Sequence, residues 1–217
     1  MSENYLKSCM EEYNLKDPWN VVELFEKTIA SYTGAKYAIS TDCCSHAIFL
    51  SLKILNSKET EIEIPERTYI SVPSSINLAG YKFKFVEKNW QNYYFLEPLK
   101  IIDSATHFAE DMYVDDTLMC ISFHYKKILP LGRGGMILTD SEERYNKLKK
   151  MRYDGRDMSV MYSDDDFDLM GYHMYMTPEI ASYGMHLFKN NFRQKIKDPS
   201  SNGYRNLKNY ISLFNKI

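Results

Sequence analysis

The sequence predicts an α/β domain with a mostly parallel sheet flanked by helices. Short apolar runs alternate with longer segments of helical periodicity, as in proteins whose strands are joined by crossover helices. Glycine or proline stands at the ends of several of these segments, where turns are expected. The 217 residues, of which 44% are hydrophobic and 26% are charged, suffice for one such domain with a sizeable core.

The first half of the chain supplies alternating helices and strands. A helical pattern begins after Asp17-Pro18 and ends at Gly34, and a polar turn at 41–45 separates the first strand from the next helix. Gly80 closes a later helix. The expected elements are a helix at 21–32, a strand at 35–40, a helix at 47–55, a strand at 61–65, a helix at 72–79 and a strand at 81–86.

The second half continues the pattern with three strands and two well-marked helices. Ser141 is expected to cap a helix that is rich in lysine, and Thr177-Pro178 resembles the start of another helix. The tail after Lys195 is polar. The expected elements are strands at 99–103, 118–123 and 136–139, helices after Ser141 and Thr177, a loop at 164–166 and a last helical segment at 207–214.

Composition excludes several classes of protein. The net charge is −2, so no basic arm for nucleic acid and no membrane-binding patch is expected. The N-terminus has no apolar region typical of a signal peptide, and no apolar stretch approaches the ~18 residues of a membrane span. Cys9, Cys43, Cys44 and Cys120 follow neither a zinc nor a disulfide spacing. We therefore expect a cytoplasmic protein with reduced thiols and no metal.

Polar side chains follow several of the predicted strands. In α/β sheets, ligands bind beyond the carboxyl ends of the strands. The turn at 41–45 opens a helix and is a candidate phosphate site, Asp103 ends an apolar strand, and Ser122, Lys126 and Lys127 lie at the end of another. A lysine, an acid and an anion site at one edge of a sheet suit pyridoxal phosphate, which binds a lysine as an imine and needs an acid beside its pyridine nitrogen.

Six segments also carry a family resemblance. In the family's order, they resemble conserved segments of the DegT/DnrJ/EryC1/StrS family of sugar aminotransferases, which use pyridoxal phosphate and have fold type I. The resemblance runs over about 21–187. The segments are YAISTDCCSHA at 37–47, IPERTY at 64–69, IDSAT at 102–106, SFHYKK at 122–127, GRGGM at 132–136 and GYHMYMT at 171–177.

The resemblance implies a role for each of eight residues. Lys127 holds the cofactor, with Lys126 as the alternative if the register is wrong by one, and Asp103 binds the pyridine nitrogen. Tyr69 stacks on the cofactor ring. The other implied contacts are Cys44, Ser45 and Ser122 at the phosphate, Thr106 near the phenolic oxygen, and His173 at the phosphate of the partner subunit. His46, His107 and His186 are expected to be structural.

The resemblance also implies a function. It predicts an aminotransferase that moves an amino group from an amino acid, with glutamate as the expected donor, to a keto sugar linked to a nucleotide. It predicts a homodimer with shared active sites, because the segment 171–177 reaches the neighbouring subunit in the family. Residues 1–217 are expected to form a single cofactor-binding domain, without the C-terminal small domain of the family.

Three other classes of function stay open. One is a different pyridoxal phosphate reaction on a sugar, such as dehydration, although relatives of that type have histidine where this chain has Lys127. Another is a protein that binds the cofactor for regulation without catalysis. The third is an α/β scaffold that binds no cofactor.

Overall fold

The computed structural model describes residues 2–57, 60–190 and 199–214. Helices alternate with strands over most of this length, as predicted. The α helices are α1 (Ser2–Glu12), α2 (Trp19–Thr33), α3 (Cys44–Leu55), α4 (Ser71–Ala79), α5 (Glu142–Met151) and α6 (Pro178–Lys189). The strands are β1 (Tyr37–Thr41), β2 (Ile62–Pro65), β3 (Phe83–Val86), β4 (Tyr94–Phe95), β5 (Ile101–Asp103), β6 (Leu118–Ser122) and β7 (Gly135–Thr139). Short 3-10 helices occupy Tyr162–Asp164, Ser201–Gly203 and Leu207–Leu213.

The strands form a five-stranded sheet in the order β1-β7-β6-β5-β4 and a two-stranded sheet, β2-β3. One pair of residues joins the two sheets. The N–H of Glu63 in β2 donates to the carbonyl of Glu97, just after β4, at 2.7 Å, and the reverse hydrogen bond is 3.1 Å long. The two sheets therefore lie edge to edge, with β4 between β5 and β2.

The α/β class is confirmed, but the pairing is more mixed than the mostly parallel sheet that we predicted. Strands β2 and β3 pair in parallel, as do β5 and β6, whereas β7 is antiparallel to β1 and β6, and β4 is antiparallel to β5. The reason is the length of the connections. No helix lies between β4 and β5 or between β6 and β7, and a parallel pair needs a crossover of a dozen or more residues, usually helical.

Apolar side chains form a core on each side of the sheet. On one side, α2 and α6 pack on the strands, and Phe25 of α2 contacts Phe123 with ring centroids 5.5 Å apart. On the other side, α3 and α4 bury Leu50 and Ile76 completely. Each fully buried side chain of this size contributes about 1.5–3 kcal/mol, so the sheet edge that carries the polar residues rests on a rigid base.

A buried ion pair fixes the strand that leads to the predicted phosphate turn. Glu26 of α2 accepts hydrogen bonds from the N–H and hydroxyl of Ser40, at 2.8 and 2.7 Å. The guanidinium of Arg152, just after α5, pairs with the same carboxylate and donates to the Ser40 carbonyl at 2.7 Å. Removing one partner of such a buried pair typically destabilises a protein by ~3–5 kcal/mol, so this cluster holds β1 against two helices.

Besides the short 3-10 helices Tyr162–Asp164 and Ser201–Gly203, two elements were not predicted. The first is α1, a polar helix whose Tyr5 packs on Tyr183 of α6. The second is β4, whose two residues form the edge of the larger sheet. The predicted polar tail after Lys195 begins outside the described residues. Among the residues described, the longest helix has 15 residues, and none is long and apolar enough to cross a bilayer.

Candidate active site

The predicted phosphate turn connects β1 to α3. Cys43 is the residue that precedes the helix, its backbone is extended, and its side chain accepts no capping hydrogen bond. The first N–H groups of a helix have no partner within the helix. Together with the helix dipole, they make this turn a suitable place for a phosphate group.

A glycine of β7 lets the sheet pass directly against this turn. A Cβ atom added to Gly135 would lie 2.4 Å from the carbonyl carbon of Cys43 and 2.4 Å from the backbone nitrogen of Cys44. Any larger residue would therefore displace the turn. The segment 132–136, singled out in the sequence as GRGGM, supplies this close approach.

The charges beside the turn favour an anion. His46 contacts the Asp42 carboxylate at 2.5 Å, and Arg133 donates to the other oxygen of Asp42 at 2.6 Å. The hydrogen bond to Asp42, followed by one to Cys43, raises the pKa of His46 to about 10, so the imidazole is protonated at neutral pH. Asp42, Cys43 and His46 have ligand atoms within 4.8 Å of one another. However, the positive charges of Arg133 and of protonated His46 oppose a metal ion at these atoms.

The residues that follow Cys43 are positioned by α4. The Ser45 hydroxyl donates to Ser71 at 2.7 Å, and the Ser75 hydroxyl donates to the Ser45 carbonyl at 3.0 Å. The Cys44 thiol faces the other way. Burial raises its pKa well above the ordinary value, and the nearby Asp103 carboxylate raises it further. Cys44 is therefore a neutral side chain beside Asp103.

Asp103 is a buried carboxylate at the end of β5, with 6% of the residue exposed. One oxygen accepts the N–H of Ala105 at 2.9 Å, and the other accepts the hydroxyl of Tyr94 at 2.6 Å. Burial raises the pKa of Asp103, although Tyr94, Ala105 and the charge of Lys127 act in the opposite direction. A buried carboxylate of this kind is stabilised by a cationic partner.

Tyr94 was missed by the sequence analysis. Its hydroxyl connects Asp103 to the buried hydroxyl of Thr68, with which it makes a short hydrogen bond. Tyr94 lies on β4, a strand of two residues. The run Tyr93-Tyr94-Phe95-Leu96 is the one signal that could have indicated a strand at this position.

The structure separates the two adjacent lysines. Lys126 is exposed, and its ammonium group lies 5.4 Å from the centroid of the Tyr125 ring. Lys127 is half-buried; burial lowers its pKa, while the charge of Asp103 raises it. Lys127 therefore lies near Asp103 and Cys44, and we call the space that these three residues border the cleft. A lowered pKa leaves more of the amine neutral and nucleophilic.

Three other predicted contacts, Ser122, Tyr69 and Thr106, differ in exposure and in hydrogen bonding. Ser122 is half-buried at the end of β6, and its hydroxyl accepts the N–H of His124 at 3.4 Å. Tyr69 is 61% exposed, which leaves its ring free to stack on a ligand. The hydroxyl of Thr106 donates to the carbonyl of Asn92 at 2.9 Å, so it is engaged with the chain that precedes β4.

The segment 171–177 lies beside the phosphate turn of its own chain. The carbonyl of Met174 accepts the N–H of Asp42 at 3.0 Å. His173 behaves differently, because its side chain is 71% exposed and contacts Asp154 at 3.0 Å. Sequence reasoning assigned His173 to the site of a partner subunit, and its exposure leaves it accessible to one.

These residues fit pyridoxal phosphate. The uncapped start of α3, with protonated His46 and Arg133 nearby, suits the phosphate. The carboxylate of Asp103 suits a protonated pyridine nitrogen, which would supply a hydrogen-bonded cationic partner in its buried site. Lys127, at the same cleft, suits the aldehyde. Each of the three chemical groups of the cofactor thus has a candidate partner among these residues.

Two curated proteins are similar in sequence to this chain. A protein of Methanocaldococcus jannaschii, MJ1066, is 28% identical over 76% of this chain. GDP-perosamine synthase of Caulobacter vibrioides is 22% identical over 84% of this chain. The matched regions cover 56% and 60% of these two relatives, so the chain spans little more than half of their length.

A solved structure is similar in fold to this chain. The crystal structure of AtS13 from Actinomadura melliaura superposes with a TM-score of 0.73 and 16% sequence identity, over 87% of this chain and 64% of that chain. The model of the DegT/DnrJ/EryC1/StrS aminotransferase family matches residues 2–109 and 114–197. Because the match covers most of the sequence, the chain belongs to the DegT/DnrJ/EryC1/StrS aminotransferase family.

Proposed function

We propose that this protein is a pyridoxal phosphate-dependent aminotransferase that moves an amino group from glutamate to a keto sugar linked to a nucleotide. The observation that carries the proposal is the cleft in which Lys127 faces the buried carboxylate of Asp103, next to the uncapped start of α3. Family membership supports the reaction type.

Lys127 has two tasks in this proposal. Its amine would hold the cofactor through the aldehyde and would be free for proton transfer once an amino donor is bound. The free amine then removes the proton from the α-carbon of the donor as a general base, and returns a proton as a general acid. The lowered pKa of Lys127 assists both tasks, because a neutral amine is needed to accept a proton.

Asp103 maintains the charge on which the cofactor depends. Pyridoxal phosphate supplies an electron sink when its pyridine nitrogen is protonated. Asp103 keeps a proton at that nitrogen, and the Tyr94 hydroxyl and the Ala105 N–H hold the carboxylate in place. The start of α3 would hold the phosphate and so fix the other end of the cofactor.

The substrate class rests on the relatives. GDP-perosamine synthase, with 22% identity, bears the name of a nucleotide-linked amino sugar. Glutamate as the donor is an inference from the family. A second candidate function is binding of the cofactor without turnover.

Incubation with glutamate distinguishes these two functions. We expect glutamate to bleach the visible absorption band of the lysine-bound cofactor and to release one equivalent of 2-oxoglutarate, because Lys127 is displaced and moves the α-proton. D-glutamate is the matched control, since its α-proton faces the wrong side. If the band persists with both enantiomers, the protein binds the cofactor but is not an aminotransferase with glutamate.

We also propose a homodimer with shared active sites. The exposed side chain of His173 is available to the cofactor phosphate of a neighbouring subunit, and a two-fold interface would complete both sites at once. We expect the cofactor-loaded protein to sediment as a dimer at micromolar concentration. We expect His173→Ala to weaken cofactor binding without changing the sedimentation coefficient. A monomer that retains the visible band would contradict the shared-site arrangement.

A further inference from the structure

The residues 199–214, which we call the strap, cross the edge of the cleft after the last long helix. Their beginning is tied to the chain before β4: the N–H of Asn92 donates to the Pro199 carbonyl at 2.6 Å, and the N–H of Ser201 donates to the Trp90 carbonyl at 3.0 Å. Ser201 is buried, at 2% exposure. The strap is therefore anchored to the segment that carries Tyr94.

Further along, the strap is tied to the segment that carries Tyr69. The N–H of Leu207 donates to the Glu66 carbonyl at 2.7 Å, and the amide of Asn206 donates to the Glu66 carboxylate at 2.6 Å. Arg67 donates to the carbonyl of Tyr204 at 3.2 Å. Phe214, at the end of the strap, packs edge-on against Phe83 of β3.

Between these anchors, the strap carries Tyr204 into the cleft. Its ring lies 5.4 Å from the ring of Trp90, which lies 5.1 Å from the ring of Tyr94, whose hydroxyl donates to Asp103. Burial, followed by the charges of Asp103 and Cys44, raises the pKa of Tyr204 to about 12. The Tyr204 hydroxyl thus lies among residues already placed in the cofactor cleft.

We infer that Tyr204 is a positioning residue of the cofactor site, which covers the Asp103 end of the cleft and excludes water from it. This inference rests on the proposed function, since it concerns the same cofactor. The physical reason is that water has a high dielectric constant and weakens interactions between charges. An interaction between a carboxylate and a pyridinium is several-fold stronger when water is excluded than when it is exposed, and an aromatic ring held by a neighbouring aromatic ring is a rigid cover.

The inference explains why the strap is held at both ends of Tyr204. The two segments that it ties together, 66–69 and 89–94, flank Asp103 and carry Tyr69 and Tyr94. A strap that only filled the surface would not need to insert a tyrosine between them. Tyr210 provides a contrast within the strap, because it is 40% exposed.

Cofactor titration tests this inference. We expect Tyr204→Ala to raise the Kd for pyridoxal phosphate, read from the visible band, about tenfold, which is the loss of one aromatic contact. Tyr204→Phe should bind within about twofold of the unchanged protein, since the ring is retained. Tyr210→Ala is the matched control on the strap and should have no effect. Tyr204→Leu replaces the alanine variant if the latter does not fold.

Two further measurements distinguish loss of the cover over Asp103 from general disruption of the structure in Tyr204→Ala. Inorganic phosphate is expected to compete with the cofactor at the start of α3. Its inhibition constant against cofactor binding should be unchanged in Tyr204→Ala. In a Trp19→Phe background, where Trp90 is the remaining tryptophan, Tyr204→Ala should increase quenching of fluorescence by acrylamide even without cofactor.

The outcomes are distinct. An unchanged Kd in Tyr204→Ala, or equal weakening of cofactor and phosphate, would overturn the role of Tyr204 and leave the proposed function intact. A lower Kd would also overturn it, because Tyr204 would then occupy the place of the cofactor. Absence of the visible band in the unchanged protein would instead overturn the proposed function, and this inference with it.

Discussion

Replacing Lys127 with alanine is expected to abolish the visible absorption band of the cofactor-loaded protein, whereas replacing Lys126 with alanine is expected to leave it. The two residues are adjacent and chemically identical. Their environments differ: Lys126 is exposed beside Tyr125, while Lys127 is half-buried and faces Asp103. Only a lysine at the cleft can reach the cofactor aldehyde.

Lys126→Ala is thus the matched control for Lys127→Ala. Both variants remove one positive charge from the same turn, so a general electrostatic effect on phosphate binding would affect them equally. Turnover of glutamate should disappear with Lys127→Ala, since the base is removed as well as the attachment point. Loss of the band in Lys126→Ala, with retention in Lys127→Ala, would show that the register is wrong by one residue.

Asp103→Asn is expected to lower turnover by about 10²–10³-fold, a typical effect of removing one preorganised electrostatic group from an active site. The amide has nearly the same shape: its oxygen can accept the N–H of Ala105, while its NH2 group donates to the Tyr94 hydroxyl. It cannot supply the negative charge that retains a proton on the pyridine nitrogen. Steady-state kinetics with glutamate measure the effect, and Asp115→Asn, an exposed acid, is the control.

The same substitution is expected to preserve or increase the stability of the cofactor-free protein. Burial raises the pKa of Asp103 above its ordinary value of 3.8. The folded state therefore holds the proton more tightly than the unfolded chain, and stability falls as the pH rises from 3.8 through the raised value. Asparagine removes that loss. Urea unfolding at pH 4 and pH 7 measures this change in the free energy of unfolding. In the kinetic experiment, unchanged turnover in Asp103→Asn would show that Asp103 is not part of the site.

Much of this site was predictable because its residues follow recognisable strands. Asp103 ends one apolar run and Lys127 follows another, and these runs form β5 and β6 in the structure. The roles of both residues at the cofactor stay predictions. The Ser141 cap was also correct, since its hydroxyl accepts the N–H of Arg144 at 3.3 Å. Apolar runs and helix caps depend on residues close together in the chain, so they can be recognised in the sequence.

Strand direction was harder to predict. An apolar strand buried on both faces reads the same whether it runs parallel or antiparallel to its neighbour. The antiparallel orientation of β7 depends on the turn at 123–134, which returns the chain directly to the same sheet. Strand β4 was missed for another reason, because a strand of two residues has no periodicity to detect.

The contacts that define the chemistry most finely were the least predictable. His46 was expected to be structural, but it pairs with Asp42 beside the phosphate turn. Tyr94 and Tyr204 reach the surroundings of Asp103 from segments that the sequence marks poorly. Such contacts depend on tertiary packing between distant residues, and no pattern within a short window records them.

The most direct test of the account is to locate the cofactor on the chain. The unchanged protein would be loaded with pyridoxal phosphate, reduced with borohydride to fix the cofactor to its lysine, digested and analysed by mass spectrometry. The account predicts the label on Lys127, the lysine that faces Asp103 in the cleft. A label on Lys126 or on any other lysine, or no label at stoichiometric cofactor, would contradict it.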